Sequence, residues 1–114
     1  MSKIVDFIKK ALRFIKNLVR YVINGILNFA THVVGWFKKI YYLDQERHVP
    51  FIANANNPEF KQMLNNAPVK NVGIFKGVYD ETTDEIVEHE QVEADGLDNK
   101  TKQILGNETL VVLN

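Results

Sequence analysis

The amino-acid sequence predicts an α+β fold: a long N-terminal amphipathic α-helix, then a small α+β C-terminal domain with a β-hairpin and a terminal strand. Three observations carry this reading. Apolar residues recur at the helical period through the first forty positions. The charge changes sign midway: residues 1–43 hold eight Lys/Arg and one acid, whereas residues 44–114 hold six Lys/Arg and thirteen acids. Beyond Val69 the pattern becomes short β-branched runs separated by turn residues. The chain therefore divides into a basic amphipathic helix (1–43), a linker (44–57) and a small acidic α+β domain (58–114).

The helix rests on Ile4, Ile8, Ala11, Ile15, Leu18, Val22, Ile26, Phe29, Val33, Trp36 and Ile40. These are spaced three or four apart with a mean of 3.6. The opposite stripe, from Asp6 and Lys10 through Asn17, Asn24 and Thr31 to Lys38, holds no large apolar side chain. Ser2 is the candidate N-cap, Asp6 suits the positive end of the helix dipole, and Lys38 and Lys39 suit the negative end. A helix from Lys3 to Tyr41 would be ~55 Å long. A compact domain of this size has a radius of gyration of only about 13 Å. Gly25 and Gly35 each cost ~1 kcal/mol inside a helix, so a kink or break near Gly25 is the alternative to a straight rod.

Residues 44–57 read as a linker because Pro50 and the Asn-rich run interrupt regular structure. Asn57-Pro58-Glu59 opens a short helix to about Asn65, with Phe60, Met63 and Leu64 on its inner side. A strand follows at 72–79, a turn at 80–84, and a return strand at 85–93. Neither side of the return strand is cleanly apolar, which suits an edge. Asp98 caps a short helix to Leu105, and Gly106 stops it. The apolar run 109–113 is a strand, either central in a small sheet or paired with a neighbour.

Several function classes lose support. The chain has no cysteine, so no disulfide or thiolate zinc site forms. His32, His48 and His89 are too scattered to suggest metal, and no phosphate loop or catalytic triad pattern is legible. No enzyme activity, cofactor or small-molecule substrate is expected. A cleavable signal peptide is not expected either, because Lys9, Lys10, Arg13, Lys16 and Arg20 interrupt any early apolar run. The seventeen residues from Tyr21 to Phe37 lack formal charge but carry Asn24, Asn28 and Thr31. That places them at the short limit of a spanning helix.

What remains is interaction chemistry. The eleven apolar positions form the expected docking face. Lys3, Lys9, Lys10, Arg13, Lys16, Arg20, Lys38 and Lys39 form an anion-facing basic set. Asp80, Glu81, Asp84, Glu85, Glu88, Glu90, Glu93, Asp95 and Asp98 form an acidic hairpin region with no Lys or Arg. Copies could pair head to tail, basic helix against acidic hairpin. The cluster of Trp36, Phe37, Tyr41 and Tyr42 has the makeup of a membrane-interface belt, or of a plug between helix and domain. The leading expectation is a non-enzymatic assembly protein that docks through its N-terminal helix into a homo-oligomer, or with other subunits in a larger assembly such as a phage virion. The first alternative is a membrane-active protein, peripheral or pore-forming, that uses the same helix on anionic lipid. A compact soluble regulator is the second. Nucleic acid is a weaker partner, because the aromatic residues are not interleaved with the basic ones.

Overall fold

The computed structural model describes residues 3–40, 44–64, 68 and 70–113. In chain order the elements are α1 (Lys3–Leu12), β1 (Arg20–Val22), β2 (Ile26–Leu27), a π-helical turn (Phe29–Val34), α2 (Gly35–Lys38), β3 (His48–Asn54), α3 (Pro58–Leu64), β4 (Val72–Asp80), β5 (Glu85–Ala94), β6 (Gly96–Leu97), α4 (Asn99–Leu105) and β7 (Leu110–Val112). Five strands form one sheet in the order β1-β5-β4-β3-β7, and β2 and β6 form a small parallel pair. The four strands β5, β4, β3 and β7 run antiparallel to their neighbours, while β1 joins the edge parallel to β5.

Helical elements cover both faces of this sheet. On one face Ile8, Ala11 and Leu12 of α1 and Phe60 of α3 pack on Phe51, Ala53, Phe75, Tyr79 and Leu110. On the other, Phe29 and Val33 of the π-helical turn and Leu105 of α4 pack on Ile52, Ile74, Val92 and Ala94. Alternation along the strands explains the division. Phe51, Phe75 and Tyr79 point one way, and Ile52, Ile74 and Val78 the other. β4 is the middle strand and is buried along nearly its whole length.

The expected 55 Å helix does not form; the protein measures 37 × 29 × 28 Å. Its first helix stops at Leu12. Two local facts keep it from running on to Tyr41. Leu18-Val19-Arg20-Tyr21-Val22-Ile23 is rich in β-branched and aromatic residues that favour a pleated surface. Gly25 sits at φ +113°, outside helical space and reachable at little cost only by glycine. The break expected near Gly25 is therefore a change to strand rather than a kink. Ile40 lies two residues past the end of α2. The Ser2 cap, Tyr41, Tyr42 and the Asn65 helix end lie outside the described residues.

The linker expected at 44–57 is also corrected, because β3 lies within it, between β4 and β7. Pro50 is tolerated there because it sits where β7 gives out. Its carbonyl accepts from the Leu113 N–H at 2.8 Å, and its missing donor falls at the end of that ladder. The hairpin forms as β4 and β5, with a register shift between Val78 and Tyr79. That bulge puts Ile86 on the same face as His89, an inversion of strict alternation. The bulge moves Ile86 alone; both sides of the strand still read as mixed because β5 buries the polar Gln91 and Glu93. β7 is an edge strand of the sheet, not a central one.

Candidate interaction surface

The eleven residues of the expected docking face do not share a face. Ile4, Ile8, Ala11, Ile15 and Leu18 pack into the core beneath α1. Phe29 and Val33 are buried in the opposite core. Trp36 and Ile40 are half-buried beyond it. Val22 and Ile26 are exposed by 48% and 59%. The wettest of the eleven are thus on β1 and β2, where a helical stripe would have hidden them. Among the described residues the exposed large apolar side chains are Phe7, Phe14, Val19, Tyr21, Val22, Ile26 and Val87. All but Val87 fall between Phe7 and Ile26.

Most of the basic set falls in or next to the same segment. Lys3, Lys10, Arg13 and Lys16 are exposed there, and Lys38 and Lys39 are exposed at the end of α2. Lys9 pairs with Glu59 at 3.0 Å, and Arg20 reaches the fully buried Glu93 at 3.4 Å. The Lys9 ammonium holds the Glu59 carboxyl below its ordinary value.

The acidic set separates into structural and surface members. The Asp80 carboxylate accepts from Arg47 Nε and NH2 and from the Thr82 N–H. The Arg47 guanidinium and these turn amides pull its pKa down to about 2. Asp84 accepts from the Tyr79 hydroxyl; burial and that carboxylate push the phenol up to about 12. Asp95 accepts from the Gly25 N–H at 2.8 Å and pairs with Lys70. Asp98 is the observed cap of α4 and also accepts from the Phe29 N–H at 2.9 Å, joining the starts of two helical segments. Glu81, Asp84 and Glu85 are exposed at the hairpin tip; Glu88 is half-buried beside it.

Two titratable groups on β4 and β5 went unnoticed as site residues in the sequence, or were read only as scattered. Lys76 is 1% exposed. Its Nζ donates to Glu90 Oε1 and to the His32 carbonyl, each at 2.7 Å, and lies 4.8 Å from the centre of the Trp36 ring. Burial lowers its pKa, and Glu90 opposes that shift. Lys76 shares parity with Ile74 and Val78, so a charge in that apolar row was the available signal. With two hydrogen bonds and a ring against it, Lys76 fastens the π-helical turn to the sheet. The adjoining cleft, about 320 Å3, is lined by Tyr21, Thr31, His32, Trp36 and Lys39.

His89 holds the other side. Its ring stacks on Phe75 at 5.5 Å and 5°, and its Nε2 accepts from the Val19 N–H at 3.1 Å. Burial lowers its pKa, with the Asn17 backbone and Glu88 pulling the other way. An accepting Nε2 requires the neutral ring. His89 therefore clamps the chain just before β1. It also lines a cleft of about 650 Å3 with Phe14, Lys16, Asp84 and Glu85.

No cluster of three or more His, Asp or Glu side chains suited to a metal exists among the described residues. No helix among them is long and apolar enough to cross a membrane. Comparison with protein-family models, with curated proteins and with solved structures finds no match.

Proposed function

We propose that this chain is a non-enzymatic assembly protein that associates with copies of itself through the strip from Phe7 to Ile26. The observation that carries the reading is the concentration of exposed apolar side chains in that one segment. Singly scattered exposed apolar residues need no explanation, whereas six within twenty residues of one segment point to an interaction role. The acidic hairpin tip supplies a complementary surface on the same molecule: Glu81 and Asp84 line one cleft with Lys3, Ile4 and Phe7 of α1. Adjacent patches of opposite charge suit a two-fold contact, in which each meets the other's counterpart. The segment that docks is thus the outer side of the N-terminal region, and the inner side of α1 belongs to the core.

The test is the mass of the native particle by sedimentation over a wide concentration range, with and without detergent. A stable oligomer that persists in both, and that Ile26→Asp dissociates, is the expected result. A monomer at every concentration overturns the proposal.

A second reading has one observation in its favour. Phe14 is 79% exposed and lies between Arg13 and Lys16, the composition of a peripheral contact with anionic lipid. Flotation with anionic phospholipid vesicles at low salt separates the two. Binding by a chain that remains monomeric supports the membrane reading, and no binding removes it.

A further inference from the structure

We propose that two copies of this chain pair edge to edge at β1, antiparallel across a two-fold axis at Tyr21, so that their sheets become continuous. The inference rests on the self-assembly reading and names its contact.

The hydrogen-bond ledger sets which groups face outward. The Gln91 N–H donates to the Val19 carbonyl and the Ile23 N–H to the Glu93 carbonyl, at 2.8 and 2.9 Å. In a parallel ladder residues that bond the neighbour alternate with residues that face away. Positions 19, 21 and 23 therefore face β5, and the N–H and C=O of Val22 face outward. β1 ends the strand order of the sheet, and all three of its residues are exposed. An outward row of backbone donors and acceptors is a template for another strand.

Natural edges are guarded by charge, and here the guard is occupied. The Arg20 side chain is drawn back onto the buried Glu93 of its own sheet. The side chains beside the edge are otherwise apolar: Val19 and Tyr21 are each 51% exposed and Val22 48%.

Hydrogen-bond parity also selects the register. A two-fold parallel pairing would set every residue beside itself, Arg20 beside Arg20, whereas a parallel ladder needs an outward-facing residue opposite an inward-facing one. The antiparallel pairing centred on Tyr21 sets Arg20 opposite Val22 and Val19 opposite Ile23. It brings the two tyrosines together as an aromatic cross-strand pair. By the same ledger that pair is the non-hydrogen-bonded one, with Cα atoms about 4.5 Å apart. The edge is thus complementary to itself.

The chain has no cysteine, so a single introduced thiol reports without background. At Tyr21→Cys the two thiols would sit on Cα atoms within the roughly 4.4–6.8 Å that a disulfide spans. Mild oxidation is expected to convert most of this variant to a covalent dimer. Gln103→Cys, exposed on α4 beside β3 and β7 at the other side of the sheet, should cross-link at least ~10-fold more slowly, since a disulfide needs that close approach. In parallel, Val22→Pro removes only an outward N–H, a change edge strands accept, and should give a folded monomer by circular dichroism and sedimentation; Val22→Ala should stay dimeric. If the native chain is oligomeric but Tyr21→Cys does not cross-link faster than Gln103→Cys, the edge pairing is wrong and the assembly proposal stands. A native chain that is monomeric throughout overturns both.

Discussion

β4 and β1 belong to the same sheet and are built from the same kinds of residue, yet they meet opposite surroundings. β4 lies in the middle, nine residues long, with helices on both faces; β1 lies at the rim, three residues long and exposed throughout. Both present β-branched and aromatic side chains, so composition does not separate them. Position does. A strand with neighbours on either side and layers above and below commits every side chain to the core. A strand reached from one side keeps an edge and much of its apolar surface for use elsewhere. The comparison teaches that exposed apolar character in this protein is a property of place in the sheet.

The strongest way to break that comparison uses two phenylalanines. Phe75 is 0% exposed, stacked against Phe51 at 5.9 Å and packed on Phe60 at 5.4 Å. Phe75→Ala leaves a cavity beneath α1 and α3 and should destabilise the fold by about 3–5 kcal/mol, measured by urea unfolding of a well-dispersed sample. A loss below about 1 kcal/mol would mean that the sheet's centre is not the packed core described.

Lys76 sharpens the comparison from the polar side. Lys76→Ala removes two hydrogen bonds and leaves Glu90 and the His32 carbonyl beside an apolar gap. The expected cost is about 2–3 kcal/mol, the range for stranding partly buried polar partners. Lys76→Met fills the space without the charge and should recover part of that loss. Equal behaviour of the two variants would argue that the ammonium itself holds the π-helical turn.

Acid separates the two regions by pH window. His89 titrates below its ordinary 6.5 in the folded chain, so it favours folding fully above that value. The contribution is lost as pH falls from about 6.5 through the lower folded-state value. It acts at Val19, so protection of the Val19 and Gln91 amides, corrected for the intrinsic pH dependence of exchange, should fall as pH drops below 6.5 while the β3–β4 ladder stays protected. Asp80 moves from 3.8 to about 2. Its contribution is complete above the higher value and fades as pH falls toward the lower one. The hairpin tip and the start of β3 should therefore open only below about pH 4, later in an acid titration than the rim. Simultaneous opening would mean that His89 does not clamp the β1 side.

The same contrast explains what could be read from the sequence. The β4–β5 hairpin was legible because 72–79 is a sustained β-branched run closed by Asp80-Glu81-Thr82-Thr83-Asp84. α4 was legible through its Asp98 cap and Gly106 stop, and both are seen, with Gly106 at φ +54°. The N-terminal region was not, because its spacing is ambiguous. Leu18, Val22 and Ile26 are four apart, which satisfies a period of two as well as one of 3.6. Local β preference and Gly25 decided between them. β3 was hidden by Pro50, whose cost vanishes only once the end of β7 is known. Of the proposed interaction surface, the segment was legible as apolar and basic, but the apolar stripe of α1 packs on the chain's own sheet, and the exposed apolar side chains lie elsewhere in the segment. The edge at β1 depends on a parallel pairing between residues 71 apart, which no local pattern encodes.

Phe14 gives the smallest expected change in stability and the sharpest test of what exposure means here. It is the most exposed of the large apolar side chains, at 79%, two residues beyond the end of α1. Phe14→Ala removes little that folding buries, so urea unfolding should move by no more than about 0.5 kcal/mol. Between Arg13 and Lys16, an exposed ring has two uses: contact with a second copy or insertion at an anionic surface. Phe14→Ala should leave the cross-linking of a Tyr21→Cys chain intact, because position 14 is outside the 19–23 register that the pairing uses. If the substitution instead abolishes vesicle flotation while the native mass is unchanged, the ring serves lipid rather than assembly. A loss of stability near that of Phe75→Ala would contradict the exposed position itself, and with it the distinction between a sealed centre and an open rim.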